Sequence, residues 1–105
     1  MATTVRTEHP HIVRSPGTAG GTPTIDGTRI TVAFIVGQLR AGDTPRDILA
    51  SYPHLTPAAV YDAISFYYDH QSEIDRFIEQ NTIEAHARRY GFTVGQDGRL
   101  RFDGR

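Results

Sequence analysis

Gly42-Asp-Thr-Pro-Arg-Asp-Ile-Leu-Ala-Ser-Tyr-Pro-His-Leu-Thr-Pro-Ala-Ala-Val60 decides the fold. Thr44 is a capping hydroxyl placed before Pro45, the residue best tolerated at a first helical position, and Asp47 sits three residues after the cap. Ile48, Leu49 and Tyr52 supply the buried side of a short helix, which Pro53 stops. Thr56-Pro57 repeats the same start, with Leu55 and Val60 spaced as a hydrophobic staple. Two helices are therefore expected, separated by a tight turn.

Upstream, Val32, Ile35, Val36 and Leu39 fall at i, i+3, i+4, i+7, one apolar helix stripe, and Gly42 is placed to end it in a left-handed cap. Downstream, Val60, Ala63, Ile64 and Tyr67 continue the last stripe. Three short helices joined by tight turns are the pattern of a trihelical helix-turn-helix. Before them, Asp26-Gly27 lies between β-prone residues and favours a hairpin turn, with Gly27 supplying positive φ and Pro23 confining its strand to an edge. Residues 1–21 are rich in Thr, Pro, Gly and His and read as an irregular arm.

Beyond His70 two readings stand. Ser72-Glu-Ile-Asp75 caps a separate fourth helix, or the third helix runs on, since Val60, Ile64, Tyr67, Gln71, Ile74, Ile78, Asn81 and Ala85 keep a heptad spacing. Either way a longer C-terminal helix is expected to close near Arg88, Arg89 and Gly91. For the tail, a three-residue loop at Gln96-Asp97-Gly98 pairs Val94 with Leu100 and Phe92 with Phe102. The expected organisation is an arm (1–21), a hairpin plus helix-turn-helix (22–70) and a C-terminal helix and hairpin serving as an interaction segment (71–105). The fold class is mainly α with small β-hairpins.

The chain has 105 residues, enough for one modest core. It contains no cysteine, which excludes disulfides, thiolate chemistry and cysteine-bound zinc. No apolar run approaches a membrane span, and Met1-Ala-Thr-Thr-Val-Arg6 lacks the apolar core of a secretory signal, so a cytoplasmic protein without membrane attachment is expected. All eleven basic residues are arginine. Residues 32–70 nevertheless set only Arg40 and Arg46 against Asp43, Asp47, Asp62 and Asp69. The basic footprint usual in nucleic-acid binding is missing there.

Gly21-Thr-Pro-Thr-Ile-Asp-Gly-Thr-Arg-Ile-Thr-Val32, with Ala41-Gly-Asp-Thr-Pro-Arg-Asp-Ile48 and Tyr52-Pro-His-Leu-Thr56, resembles the bacterial family called domain of unknown function 433 over roughly residues 12–70. The resemblance implies a homeodomain-like helix-turn-helix and, for many members, an antitoxin role beside a PIN-like ribonuclease toxin. On that reading the protein is a homodimeric antitoxin-like component of a type II toxin–antitoxin system, with a nuclease toxin and operator DNA as partners. The alternative is an interaction module or dimeric regulator that never binds DNA.

The DNA-facing candidates are Arg46, Thr56, Ala58, Tyr61 and Ser65, with Arg14 adding a phosphate contact from the arm. Asp62 on the same helix opposes phosphate binding. Gly27, Arg29 and Pro53 are structural candidates, Arg29 bracing the turn before helix one. The partner-binding candidates are Phe66, Tyr68, Ile74, Phe77, Ile78, Phe92, Leu100 and Phe102, because Phe66-Tyr67-Tyr68 is too wide for one core stripe and aromatics are enriched at interfaces. The five histidines are scattered, with no metal-ligand spacing. No phosphate loop or nucleophile motif occurs, so no catalytic residue, metal or cofactor is expected.

Overall fold

A computed structural model describes residues 4–81, together with the backbone of Phe92–Val94 and Leu100–Phe102. The main unit holds four helices and a small three-stranded antiparallel sheet. In chain order these are β1 (Val5–Arg6), β2 (Ile12–Arg14), a single 3-10 turn (Ala19–Gly21), β3 (Thr24–Ile25), α1 (Val32–Arg40), α2 (Pro45–Ser51), α3 (Pro57–Asp69) and α4 (Gln71–Gln80). Strand order is β1-β2-β3, with Arg6 opposite Val13 and Ile12 opposite Ile25. β4 (Phe92–Val94) and β5 (Leu100–Phe102) form a separate antiparallel pair.

The helix starts follow the capping chemistry. Thr31, Thr44 and Thr56 each accept a hydrogen bond from the backbone N–H three residues on, and Asp47 accepts from the Thr44 N–H to complete a capping box. Each such contact satisfies a donor that the helix itself leaves without a partner. Gly42, at φ +106°, turns the chain out of α1, a conformation that an L side chain resists. Leu55 and Val60 are both buried, as a staple requires. α3 packs against α1, α2, α4 and the strands β2 and β3. Ile12, Ile35, Ile48, Val60, Phe66 and Ile74 are fully enclosed at the centre.

Three expectations are corrected. The segment read as an irregular arm supplies two of the three strands, because Ile12 and Val13 are buried in the sheet between Val5–Arg6 and Thr24–Ile25. The Asp26-Gly27 turn forms, with Gly27 at φ +79°, but its return side pairs only through an isolated Thr24–Thr31 bridge before α1 begins. The main partner of β3 is instead β2. Of the two readings beyond His70 the continuous helix fails and the separate fourth helix holds: the chain breaks at His70 (φ −130°, ψ 40°), and α4 starts at Gln71, though without a side-chain cap from Ser72.

The C-terminal helix is also shorter than expected, ten residues against thirteen in α3. It closes at Gln80, where the Asn81 side-chain amide donates to the Phe77 carbonyl at 2.8 Å. The expected closure at Arg88, Arg89 and Gly91 lies outside the described residues. In the tail, Phe92 pairs with Phe102 and Val94 with Leu100, the register that a three-residue loop requires. The loop itself lies outside the described residues.

Phe66 was expected at an interface and is fully buried. Truncating it to Ala should cost about 3–5 kcal/mol. Thr44→Ala, which removes only a cap, should cost about 1 kcal/mol. Urea denaturation of the two variants checks both values.

Candidate functional site

The residues with the most chemistry to offer converge where the β1–β2 connection crosses the end of α3. His9, in that connection, is 7% exposed and stands edge-on to Phe66 with ring centroids 5.3 Å apart. Its Nδ1 lies 2.8 Å from Asp62 Oδ1 and its Nε2 lies 2.7 Å from Asp69 Oδ2. An ionised carboxylate only accepts hydrogen bonds, so a ring flanked by two of them donates from both nitrogens. His9 is therefore an imidazolium. Burial alone would push its proton off, but the hydrogen bonds to Asp62 and Asp69 outweigh that effect and its pKa is raised above 6.5.

Asp62 is the buried counterpart, its side chain 11% exposed. Burial would raise its pKa, yet the His11 backbone N–H at 2.8 Å and the rings of His9 and His11 hold it below 3.8. Seven residues apart, Asp62 and Asp69 lie on one face of α3, two turns from each other, so both reach the same ring.

The network continues around Phe66. His70 stacks on that ring at 4.2 Å and contacts the Glu8 carboxylate through Nε2. The contact to His70, followed by Glu8's own backbone N–H, lowers the Glu8 pKa. Arg14 lies 5.7 Å from the Phe66 ring centre and grips Glu73 with two nitrogens, at 2.5 and 2.9 Å. That fork holds the Glu73 carboxyl below its ordinary range. A second, smaller set joins α1, α3 and α4: Arg40 and the Tyr67 hydroxyl both donate to Asp75, at 2.6 and 2.8 Å.

The sequence-derived candidates fall into three groups. Arg46, Thr56, Ala58, Tyr61 and Ser65 are exposed. Ala58, Tyr61 and Ser65 share the outward stripe of α3, while the Thr56 hydroxyl is engaged as a cap. Arg14 does not belong with them: it is committed to Glu73. Asp62 points back toward the N-terminal strands, so its charge is not offered on the outward stripe. Among the partner-binding candidates, Phe66 and Ile74 are core residues and are corrected as such, Phe77 and Ile78 are half-buried, and Tyr68 is 69% exposed. The side chains of Phe92, Leu100 and Phe102 lie outside the described residues. Gly27 holds its turn and Pro53 follows α2. Arg29, by contrast, is exposed and makes no hydrogen bond or ion pair among the described residues, so its expected bracing contact is missing.

Sequence reasoning missed the Glu8–His9–Asp62–Asp69–His70 cluster, whose members meet across more than fifty positions of chain. The readable traces were the i, i+7 pair of acids on α3 and the His9-Pro10-His11 spacing.

This arrangement defines a small α/β module whose N-terminal strands are pinned by a buried imidazolium to a core helix. The chain belongs to the DUF433 family, described as proteins of unknown function, whose family model matches residues 12–67. It is similar to a solved DUF433 member protein from Anabaena variabilis, at 36% identity and a TM-score of 0.65, over 67% of this chain and 69% of that one. No curated protein matches the sequence.

The raised His9 pKa and lowered Asp62 pKa fix the pH dependence of stability. His9 contributes fully below its unfolded value of about 6.5, and the contribution is lost as pH climbs through its higher folded value. Asp62 contributes above about 3.8, and the contribution is lost as pH falls through its lower folded value. Thermal unfolding in EDTA-containing buffer should therefore peak between these limits and decline on the alkaline side. His9→Gln should flatten that alkaline decline.

Proposed function

We propose that this protein is the antitoxin-like component of a type II toxin–antitoxin system, a homodimer that reads operator DNA through α2 and α3 and binds a PIN-like nuclease toxin. In this reading α1–α3 act as a homeodomain-like helix-turn-helix, with α3 as the helix entering the major groove. The observation that carries the DNA half is the outward stripe of α3. Ala58, Tyr61 and Ser65 are exposed there, and the one acid that opposed this role, Asp62, is sequestered by His9 and His11. Arg29 and Arg46 are exposed cations suited to phosphate contacts.

The partner half rests on Tyr68 and the groove beside it. Val36, Leu39, Arg40, Ile64, Tyr67, Tyr68 and Gln71 line a cavity of about 270 Å³, with the Tyr68 ring at its exposed rim. Aromatic and apolar surface of this kind suits a protein partner. The family resemblance supports a nuclease as that partner. The protein belongs to the cytoplasm on this account, and among the described residues no helix is long and apolar enough to cross a membrane.

A second reading, an interaction module that never binds DNA, is favoured by charge. Acids outnumber arginines in residues 32–70, and Arg6 and Arg14 are tied to Asp26 and Glu73. Gel-shift titration on the protein's own promoter at several salt concentrations separates the two. Two phosphate-contacting arginines per protomer predict a slope of log affinity on log salt of about −4 for a dimer, reduced by about 2 in magnitude by Arg46→Ala. Binding that is insensitive to Arg46→Ala and Tyr61→Ala, or absent at low salt, contradicts the DNA half. Co-purification of a stoichiometric nuclease that is lost on Tyr68→Ala supports the partner half; recovery of the chain alone contradicts it.

A further inference from the structure

We propose that Glu8, His9 and Asp69 form a binding site for one divalent transition-metal ion, with Zn2+ as the probe. Donor atoms of Glu8, His9 and Asp69 lie within 4.8 Å of one another. From His9 Nε2, Asp69 Oδ2 is at 2.7 Å and Glu8 Oε1 at 3.9 Å, and that same Glu8 oxygen touches His70 Nε2. Tetrahedral zinc with bonds of about 2.0–2.2 Å sets neighbouring donors roughly 3.3 Å apart. The spacing needed falls between the two distances already present. One imidazole and two carboxylates, with water completing the coordination, are a donor set that zinc accepts without any cysteine.

The contacts behind the donors distinguish this cluster from an ordinary surface ion-pair network. A metal-bound histidine characteristically donates its far ring nitrogen to a carboxylate, which fixes the tautomer and aims the near nitrogen. His9 does so: its Nδ1 meets Asp62 at 2.8 Å, and Asp62 is itself fixed by the His11 backbone N–H. His70 lacks that support, since its Nδ1 is 3.7 Å from Glu73 Oε1, beyond hydrogen-bond reach, and Glu73 is held by Arg14. His9 thus presents Nε2 to both Asp69 and Glu8, whereas His70 meets Glu8 alone.

The backbone explains the placement. Glu8 and His9 come from the β1–β2 connection and Asp69 is the last residue of α3, so the donors meet only where that connection crosses the helix end. Glu8 and Asp69 are 58% and 59% exposed, which leaves an entry path from solvent. The charge also balances. Two carboxylates offset a dication, and the ion replaces the Nε2 proton of His9, which passes to solvent. Bound metal would tie the N-terminal strands to the α3–α4 junction whether or not the protein reads DNA.

The test uses the full chain without an affinity tag, stripped with EDTA and titrated with Zn2+ and with Co2+. One saturable equivalent is expected, with the visible absorption of low-coordinate Co2+ and a rise in unfolding midpoint on adding Zn2+. The variant Glu8→Gln changes one exposed group and leaves both carboxylates on His9 in place, so it should lose affinity at least tenfold while keeping its metal-free unfolding midpoint within a few degrees. Should that variant not fold, the ring nitrogen resonances of the unaltered protein decide. One equivalent of Zn2+ should shift the His9 Nε2 signal. Absence of saturable binding, equal affinity in parent and folded variant, or shifts confined to His11, His54, His70 and His86 would overturn the proposal.

Discussion

The buried imidazolium of His9, held between Asp62 and Asp69, is the contact on which the rest of the arrangement depends. An isolated charge at 7% exposure is costly, and it persists here because both ring nitrogens find a carboxylate. Through it residues 4–14 become part of the fold. β1 and β2 are only two and three residues long, too short to be stable as a free hairpin. Burial of Ile12 and Val13, pairing with β3, and the two carboxylates on α3 together hold them in place.

Two consequences follow for the surfaces the protein offers. Phe66 is enclosed by His9, His70 and Arg14, which removes it from any interface and leaves Tyr68 as the exposed aromatic of that run. Asp62 is turned inward and charge-compensated, so the outward stripe of α3 is left to Ala58, Tyr61 and Ser65. A helix that reads as unfavourably acidic in one dimension thus presents a neutral face in three. The family match ends at residue 67 and begins at 12, so Glu8, His9, Asp69 and His70 all stand outside the matched segment.

The local chemistry was legible wherever it was short-range. Thr44-Pro45 and Thr56-Pro57 fixed two helix starts, Gly42 one helix end, and Phe92 opposite Phe102 the register of the tail, because caps, turns and pairing parity are decided within a few residues. The break at His70 was not decidable from pattern, since Val60, Ile64, Tyr67 and Ile74 satisfy a continuous helix as well as an interrupted one. The N-terminal strands were missed because each is shorter than the periodicity needed to announce a strand, and their stability is tertiary. The histidine–carboxylate cluster was missed for the same reason. Its members are unremarkable individually and acquire meaning only when β1–β2 crosses α3.

A double-mutant cycle on His9→Gln and Asp62→Asn, read by urea denaturation of the metal-free chain near pH 6, tests the central contact most directly. A coupling energy between about 0.5 and 3 kcal/mol is expected for groups in one buried network. Additive single-variant effects, within a few tenths of a kcal/mol, would mean that the imidazolium does not hold the N-terminal strands to α3.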